Sequence, residues 1–137
     1  MVLSPTLETL RLFLHVLAAS VWVGGQITLA GIVPALRKNH PESTKTVARA
    51  FSRVAWASYV LVFVTGIWNL IEVDVQDASW SYTSTVFAHT ALAVAAGLAV
   101  AAHSFGRSKL ALAIGGALGL LFSLAAVFVG HLLRTGS

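Results

Sequence analysis

Residues 110–133 read LALAIGGALGLLFSLAAVFVGHLL, and none of them is Asp, Glu, Lys or Arg. A helix covers the hydrocarbon core of a bilayer in about 20 apolar residues, so this stretch is long enough to span it. Ala and Leu dominate and the apolar residues do not alternate with polar ones, which argues against a strand. In lipid the backbone must satisfy its own hydrogen bonds, and at this length the helix is the solution. Working outward, the same reading applies to Val86–Phe105, to Val54–Ile71 and to Leu12–Leu36, whose one titratable side chain is His15. The sequence therefore predicts an all-α polytopic membrane protein. Its expected form is a single domain over residues 1–137, an antiparallel four-transmembrane-helix bundle with spans at about 9–36, 46–73, 84–105 and 109–133.

Composition agrees. Hydrophobic residues make up 57% of the 137 and charged residues 10%, against about 25% charged in a soluble domain. So few charges cannot coat a soluble domain of this size, so lipid must be the solvent. The chain has no cysteine and its one methionine is Met1, which excludes disulfide frameworks, thiolate metal sites, cysteine nucleophiles and thioether ligands. A cleaved signal peptide would have an apolar core of roughly 7–15 residues after a basic start. The first run is longer, and Glu8 offsets Arg11, so it reads as a span.

The connections carry turn chemistry. Asn39, Pro41 and Ser43 mark a turn and a helix start within 37–44, and 45–53 continues as a basic amphipathic lead-in to span two. Residues 74–85 read as a polar connection with Trp80 and Tyr82 as interfacial aromatics. Gly106-Arg107-Ser108 is a tight link that makes spans three and four antiparallel neighbours. Loops one and three carry Arg37, Lys38, Lys45, Arg49, Arg53, Arg107 and Lys109 against the single acid Glu42. The positive-inside rule places these loops (37–53 and 106–109) in the cytoplasm and both termini outside, in a cell membrane. That asymmetry accounts for the net charge of +4 without nucleic acid as a partner.

Two stretches carry a family resemblance. His15-Val-Leu-Ala-Ala-Ser-Val-Trp22-Val-Gly24-Gly25 resembles the first-span signature of the copper-resistance D (CopD-like) family of membrane proteins. Arg49-Ala-Phe51-Ser52-Arg53 and Thr65-Gly66-Ile67-Trp68-Asn69 resemble that family's Arg-Phe-Ser and Thr-Gly-x-x-Asn pattern. The resemblance implies an inner-membrane protein of copper uptake or resistance. The family's third span usually carries a Lys near its start, where this chain has His89. A fainter likeness is to small four-helix haem-binding oxidases of porphyrin synthesis, which also carry a first-span His.

Polar groups inside the membrane are costly and mark function. His15 lies about two turns into span one from the outer side, and His15, Trp22 and Gln26 share a narrow arc of that helix. His89 lies at a similar depth in span three and His131 near the outer end of span four, so three imidazoles are expected at one outer level. Asn69 and Glu72 take the corresponding level of span two, with Asp74 and Asp77 above. Imidazole suits Cu, Zn, Fe and Ni, and the carboxylates would draw cations. The plainer roles stand beside these. A histidine near a helix end can bond a carbonyl or snorkel, most of all His131. Gln26, Thr65 and Asn69 can act as interhelical hydrogen-bonders, Trp22, Trp56 and Trp68 as packing or interface residues, and Gly115 with Gly119 as a close-packing pair. His103 lies about 21 Å along the axis from His89 and has no histidine at its level in the other spans. His40 is expected to be solvated.

The leading function is copper binding or transport through His15 and His89, with His131 as a third ligand. Two alternatives stay open: a b-type haem held by two of these histidines, in electron transfer or an oxidase reaction, and a non-catalytic accessory subunit. Beyond the lipid bilayer and a metal ion, the expected partners are a second copy of the chain or another membrane subunit. No phosphate loop, nucleophile elbow or His-Glu-x-x-His motif is present, so the reading leans away from an enzyme. Any chemistry would rest on a redox cofactor.

Overall fold

A computed structural model describes residues 3–136. Four helices account for most of them: α1 (Leu7–Asn39), α2 (Pro41–Glu72), α3 (Trp80–Phe105) and α4 (Lys109–Thr135). No strand occurs among the described residues. Each helix is long and apolar enough to cross a membrane, and four such helices are compatible with a four-span membrane bundle. Two compact units result, Met1–Asp74 and Val75–Ser137, each a hairpin of two antiparallel helices.

Capping sets the ends. The Thr6 hydroxyl oxygen accepts a hydrogen bond from the Thr9 amide, and the Thr6 N–H donates to Thr9 Oγ1 in return, a reciprocal pair that starts α1. A single residue, His40, separates α1 from α2. Its amide closes α1 on the Leu36 carbonyl, and Pro41 opens α2 with a φ already suited to a first helical turn. His40 is exposed, as expected, with its Nδ1 3.5 Å from a Glu42 carboxylate oxygen. Ser79 caps α3 through the Tyr82 amide, and Ser108 caps α4 through the Ala111 amide. The tight link at 106–108 is therefore present. The predicted polar connection over 74–85 is shorter than expected, because helix α3 already begins at Trp80. The hydroxyls of Ser84 and Thr85 both donate to the Ser81 carbonyl, so these polar residues sit inside a helical turn without competing for its amides.

Little of each span is buried. Within the most apolar window of each helix, 17% of residues are buried in α1, α2 and α3 and 22% in α4. Phe105 is 75% exposed, Leu98 68% and Phe128 67%. In water each such side chain would forgo about 1.5–3 kcal/mol of burial, so the apolar surface belongs to lipid.

Apart from Arg11 and two valines, Val23 and Val86, what is buried is small or aromatic. Between α3 and α4 the interface is Ala96, Gly97, Gly115, Gly119, Ser123 and Ala126. A methyl group placed on Gly115 would stand 2.7 Å from the Ala99 carbonyl oxygen and 2.7 Å from the His103 amide nitrogen. The Gly115/Gly119 pair thus permits backbone-to-backbone approach, as its spacing predicts. Between α1 and α2, Ala18, Trp22, Val23, Ala55, Ser58 and Thr65 are buried. Trp22 packs on Tyr59 with ring centroids 4.6 Å apart and edge-on to Trp56 at 5.6 Å, and Tyr59 continues to Phe63 at 5.0 Å. Gly25 lies under the Phe51 ring. Gly24 does not share this role: a methyl group there would meet nothing within 4 Å, because one residue's rotation of about 100° turns it off the interface.

Candidate functional site

Each hairpin anchors a histidine through the same ring atom. In the first, His15 Nδ1 lies 2.8 Å from Thr65 Oγ1. The Thr65 hydroxyl has one proton, and it points back to the Leu61 carbonyl at 2.7 Å. Thr65 therefore accepts from His15, which makes Nδ1 the protonated nitrogen and leaves the lone pair on Nε2. Thr65 is 1% exposed, and such a buried hydroxyl holds its neighbour in one orientation. Gly66, the next residue, is in ordinary contact with the ring: a methyl group there would lie 3.5 Å from His15 Cε1.

In the second hairpin, His89 Nδ1 lies 2.8 Å from the Ala126 carbonyl oxygen. A carbonyl can only accept, so Nδ1 is again the donor and Nε2 carries the lone pair. The ring lies against Gly130, where a methyl group would stand 3.0 Å from Cε1 and 3.2 Å from Nδ1. His103 repeats the arrangement: Nδ1 is 2.5 Å from the Leu112 carbonyl oxygen, and a methyl group on Gly116 would stand 2.9 Å from Nδ1. In both cases the acceptor is residue n of α4 and the glycine is n+4. The carbonyl of n already serves the amide of n+4, and a side chain at n+4 would block the flank from which imidazole approaches.

The other expected residues divide. His131 is exposed, next to Gly130, with its carbonyl accepting from the Thr135 hydroxyl. Gln26 Nε2 bonds the Trp22 carbonyl of its own helix at 3.2 Å. Of the residues expected to bridge helices, Thr65 does so through His15, whereas Asn69 keeps a buried Oδ1 with no hydrogen-bond partner. Glu72 is exposed at the end of α2, and Asp74 and Asp77 are exposed in the connection. Among the described residues no group of three or more His, Cys, Asp or Glu side chains is placed to hold a metal ion.

One residue was not anticipated. Arg11 reads as a terminal charge in the sequence, yet it is 8% exposed. Its Nε and Nη1 are buried without a hydrogen-bond partner, beside a cavity of about 90 Å³ lined by Leu7, Glu8, Arg11, Trp68 and Glu72. The signal was available: Arg11, His15, Ala18 and Trp22 fall at helical spacing on the face that packs against α2. A second cavity, of about 320 Å³, is lined by Ala99, Ala102, Ile114, Gly115 and Leu118 among others and offers no titratable group.

No family model and no solved structure matches the chain. Among curated proteins it is similar to an uncharacterized protein of Aquifex aeolicus (strain VF5), 38% identical over 68 residues. The match covers 46% of this chain and 48% of that relative, so the chain spans about half the length of the curated protein it resembles.

Proposed function

We propose that this is a multi-pass protein of the cell membrane that binds a transition metal through the Nε2 atoms of His15 and His89. The first reading is copper, bound or moved in uptake or resistance, with His131 as a further ligand. The observation that carries it is the Nδ1 anchoring of both rings, to Thr65 Oγ1 and to the Ala126 carbonyl. A metal-ligating histidine donates its other ring N–H to a fixed acceptor, which sets the tautomer, orients the ring and raises the basicity of the ligating nitrogen. With no cysteine and no methionine beyond Met1, the ligands would be nitrogen, and imidazole accepts copper in either oxidation state. Basic loops in the cytoplasm and termini outside would put His15, His89 and His131 toward the extracytoplasmic ends of their spans.

A b-type haem is the second reading. Its support is the pair of Nδ1-anchored imidazoles, His15 and His89. A porphyrin brings four nitrogens of its own and asks the protein for one or two axial imidazoles. The donor set suits either centre.

Elemental analysis and an absorption spectrum of the purified protein, with H15A and H89A beside it, test both. Stoichiometric copper lost in both variants supports the first reading, and a haem spectrum lost in both supports the second. Stoichiometric binding that survives both substitutions, or a colourless metal-free protein from replete cells, would overturn metal binding and leave an accessory subunit.

A further inference from the structure

The Arg11 cavity carries an inference independent of the metal. A guanidinium has five N–H donors, and Nε and Nη1 account for three of them. Both nitrogens are buried without an acceptor, in a side chain that is 8% exposed. Leaving a charge buried and unsatisfied costs several kcal/mol, and inside a membrane such a residue marks a ligand or a pathway. The His15–Thr65 bond fixes the register of α1 on α2. One turn further toward the end of the hairpin come Arg11 on α1 and Asn69 on α2, four residues from each partner. Asn69 Oδ1 is likewise buried without a donor, so the two residues do not satisfy one another. The same short stretch holds unmet donors and an unmet acceptor.

The cavity's charges narrow the ligand. Beside Arg11 it is lined by Glu8 and Glu72, with Leu7 and Trp68 as the apolar wall. A simple anion would meet the guanidinium but also two carboxylates, and a simple cation would meet Arg11. The complement is a group with both signs a few bonds apart. At about 90 Å³ the cavity has the volume of roughly three waters, which holds the phosphate of a headgroup, leaves its other end at the exposed Glu8 and Glu72, and excludes a lipid tail.

We propose that Arg11 and the two glutamates form a site for a zwitterion that joins a phosphate to an ammonium. The phosphate oxygens take the Arg11 donors, and the ammonium faces Glu8 and Glu72. A phosphoethanolamine lipid headgroup and free phosphoethanolamine present the same chemistry. The cavity's place at the start of α1 and the end of α2, where a span meets the headgroup layer, makes the lipid the nearer source.

Native mass spectrometry of the full chain in detergent separates the cases, with short-chain phosphatidylethanolamine, phosphatidylglycerol or soluble O-phosphoethanolamine added in turn. The wild type is expected to hold the ethanolamine lipid about tenfold or more tightly than R11Q does, and to prefer it over the glycerol lipid. E72Q, a change at an exposed residue, should narrow that preference and keeps the test decisive where R11Q folds poorly. Binding of soluble O-phosphoethanolamine without the lipid would assign the site to the free zwitterion. Equal retention by wild type and R11Q, an E72Q variant with undiminished preference, or a wild type that prefers phosphatidylglycerol would overturn the proposal.

Discussion

Replacing Gly115 by Ala tests whether the second hairpin is held by backbone approach. The added methyl would stand 2.7 Å from the Ala99 oxygen, 2.7 Å from the His103 nitrogen and 3.1 Å from the His103 Cα. All three are backbone atoms, so no side chain can swing aside and the helices must separate. A gap of roughly 0.5–1 Å forfeits a quarter to a half of each dispersion contact across it, here along Ala96, Gly97, Gly119, Ser123 and Ala126. Overpacking of this kind costs about 1–3 kcal/mol. Ala is the better helix former by about 1 kcal/mol in water, which offsets part of the loss. The proper reference is therefore a glycine with space around it, and both Gly24 and Gly31 have nothing within 4 Å of an added methyl. G115A should be about 1–3 kcal/mol less stable than G24A or G31A when unfolding is driven by SDS in mixed micelles and followed by far-ultraviolet circular dichroism. G115A as stable as G24A would refute the packing argument.

Removing the acceptor of His15 should lower metal or haem affinity about 10–100-fold in T65V, with T65S restoring most of it; equal affinity in the two variants would remove Thr65 from the site. H103A should bind as the wild type does, although His103 carries the same Nδ1 bond as His89, and a loss as large as that of H89A would bring His103 into the metal's path. The chain has no cysteine, so single cysteines report topology directly. K45C and R107C should resist a membrane-impermeant maleimide in intact cells while D77C reacts, and the reverse pattern would invert the orientation.

The spans were legible because charge is excluded from a stretch of lipid-exposed helix wherever it occurs, and three of the four runs in this sequence are bounded directly by charges on both sides. The Ser108 start of α4 and the Gly115/Gly119 contact were legible for a similar reason: each depends on neighbours along one helix. Trp80–Thr85 was read as connection because a run of Ser, Tyr and Thr looks like a loop. In α3 the Ser84 and Thr85 hydroxyls fold back onto the Ser81 carbonyl, a bond the one-dimensional pattern does not announce. Gly24 and Gly25 were indistinguishable as a pair, and only the rotation of α1 tells which one meets Phe51. Arg11 was hidden by position, since a basic residue near the end of a span ordinarily snorkels to the interface.

The histidines show how far spacing alone can carry an argument. His89 and His103 are fourteen residues apart on α3, and so are their acceptors Ala126 and Leu112 and their flanking glycines Gly130 and Gly116 on α4. In an antiparallel hairpin every step forward on one helix is a step back on the other, so one correct pairing dictates the second. A glycine four residues beyond the acceptor is the feature to look for, because it clears the flank of a carbonyl that already holds an amide. The anchoring fixes which nitrogen is free of a proton, and that is a requirement for a ligand. It does not by itself make one, since His89 and His103 are anchored alike. The distinction between them must come from what approaches Nε2, which is why the paired H89A and H103A measurements bear on function and not on packing alone.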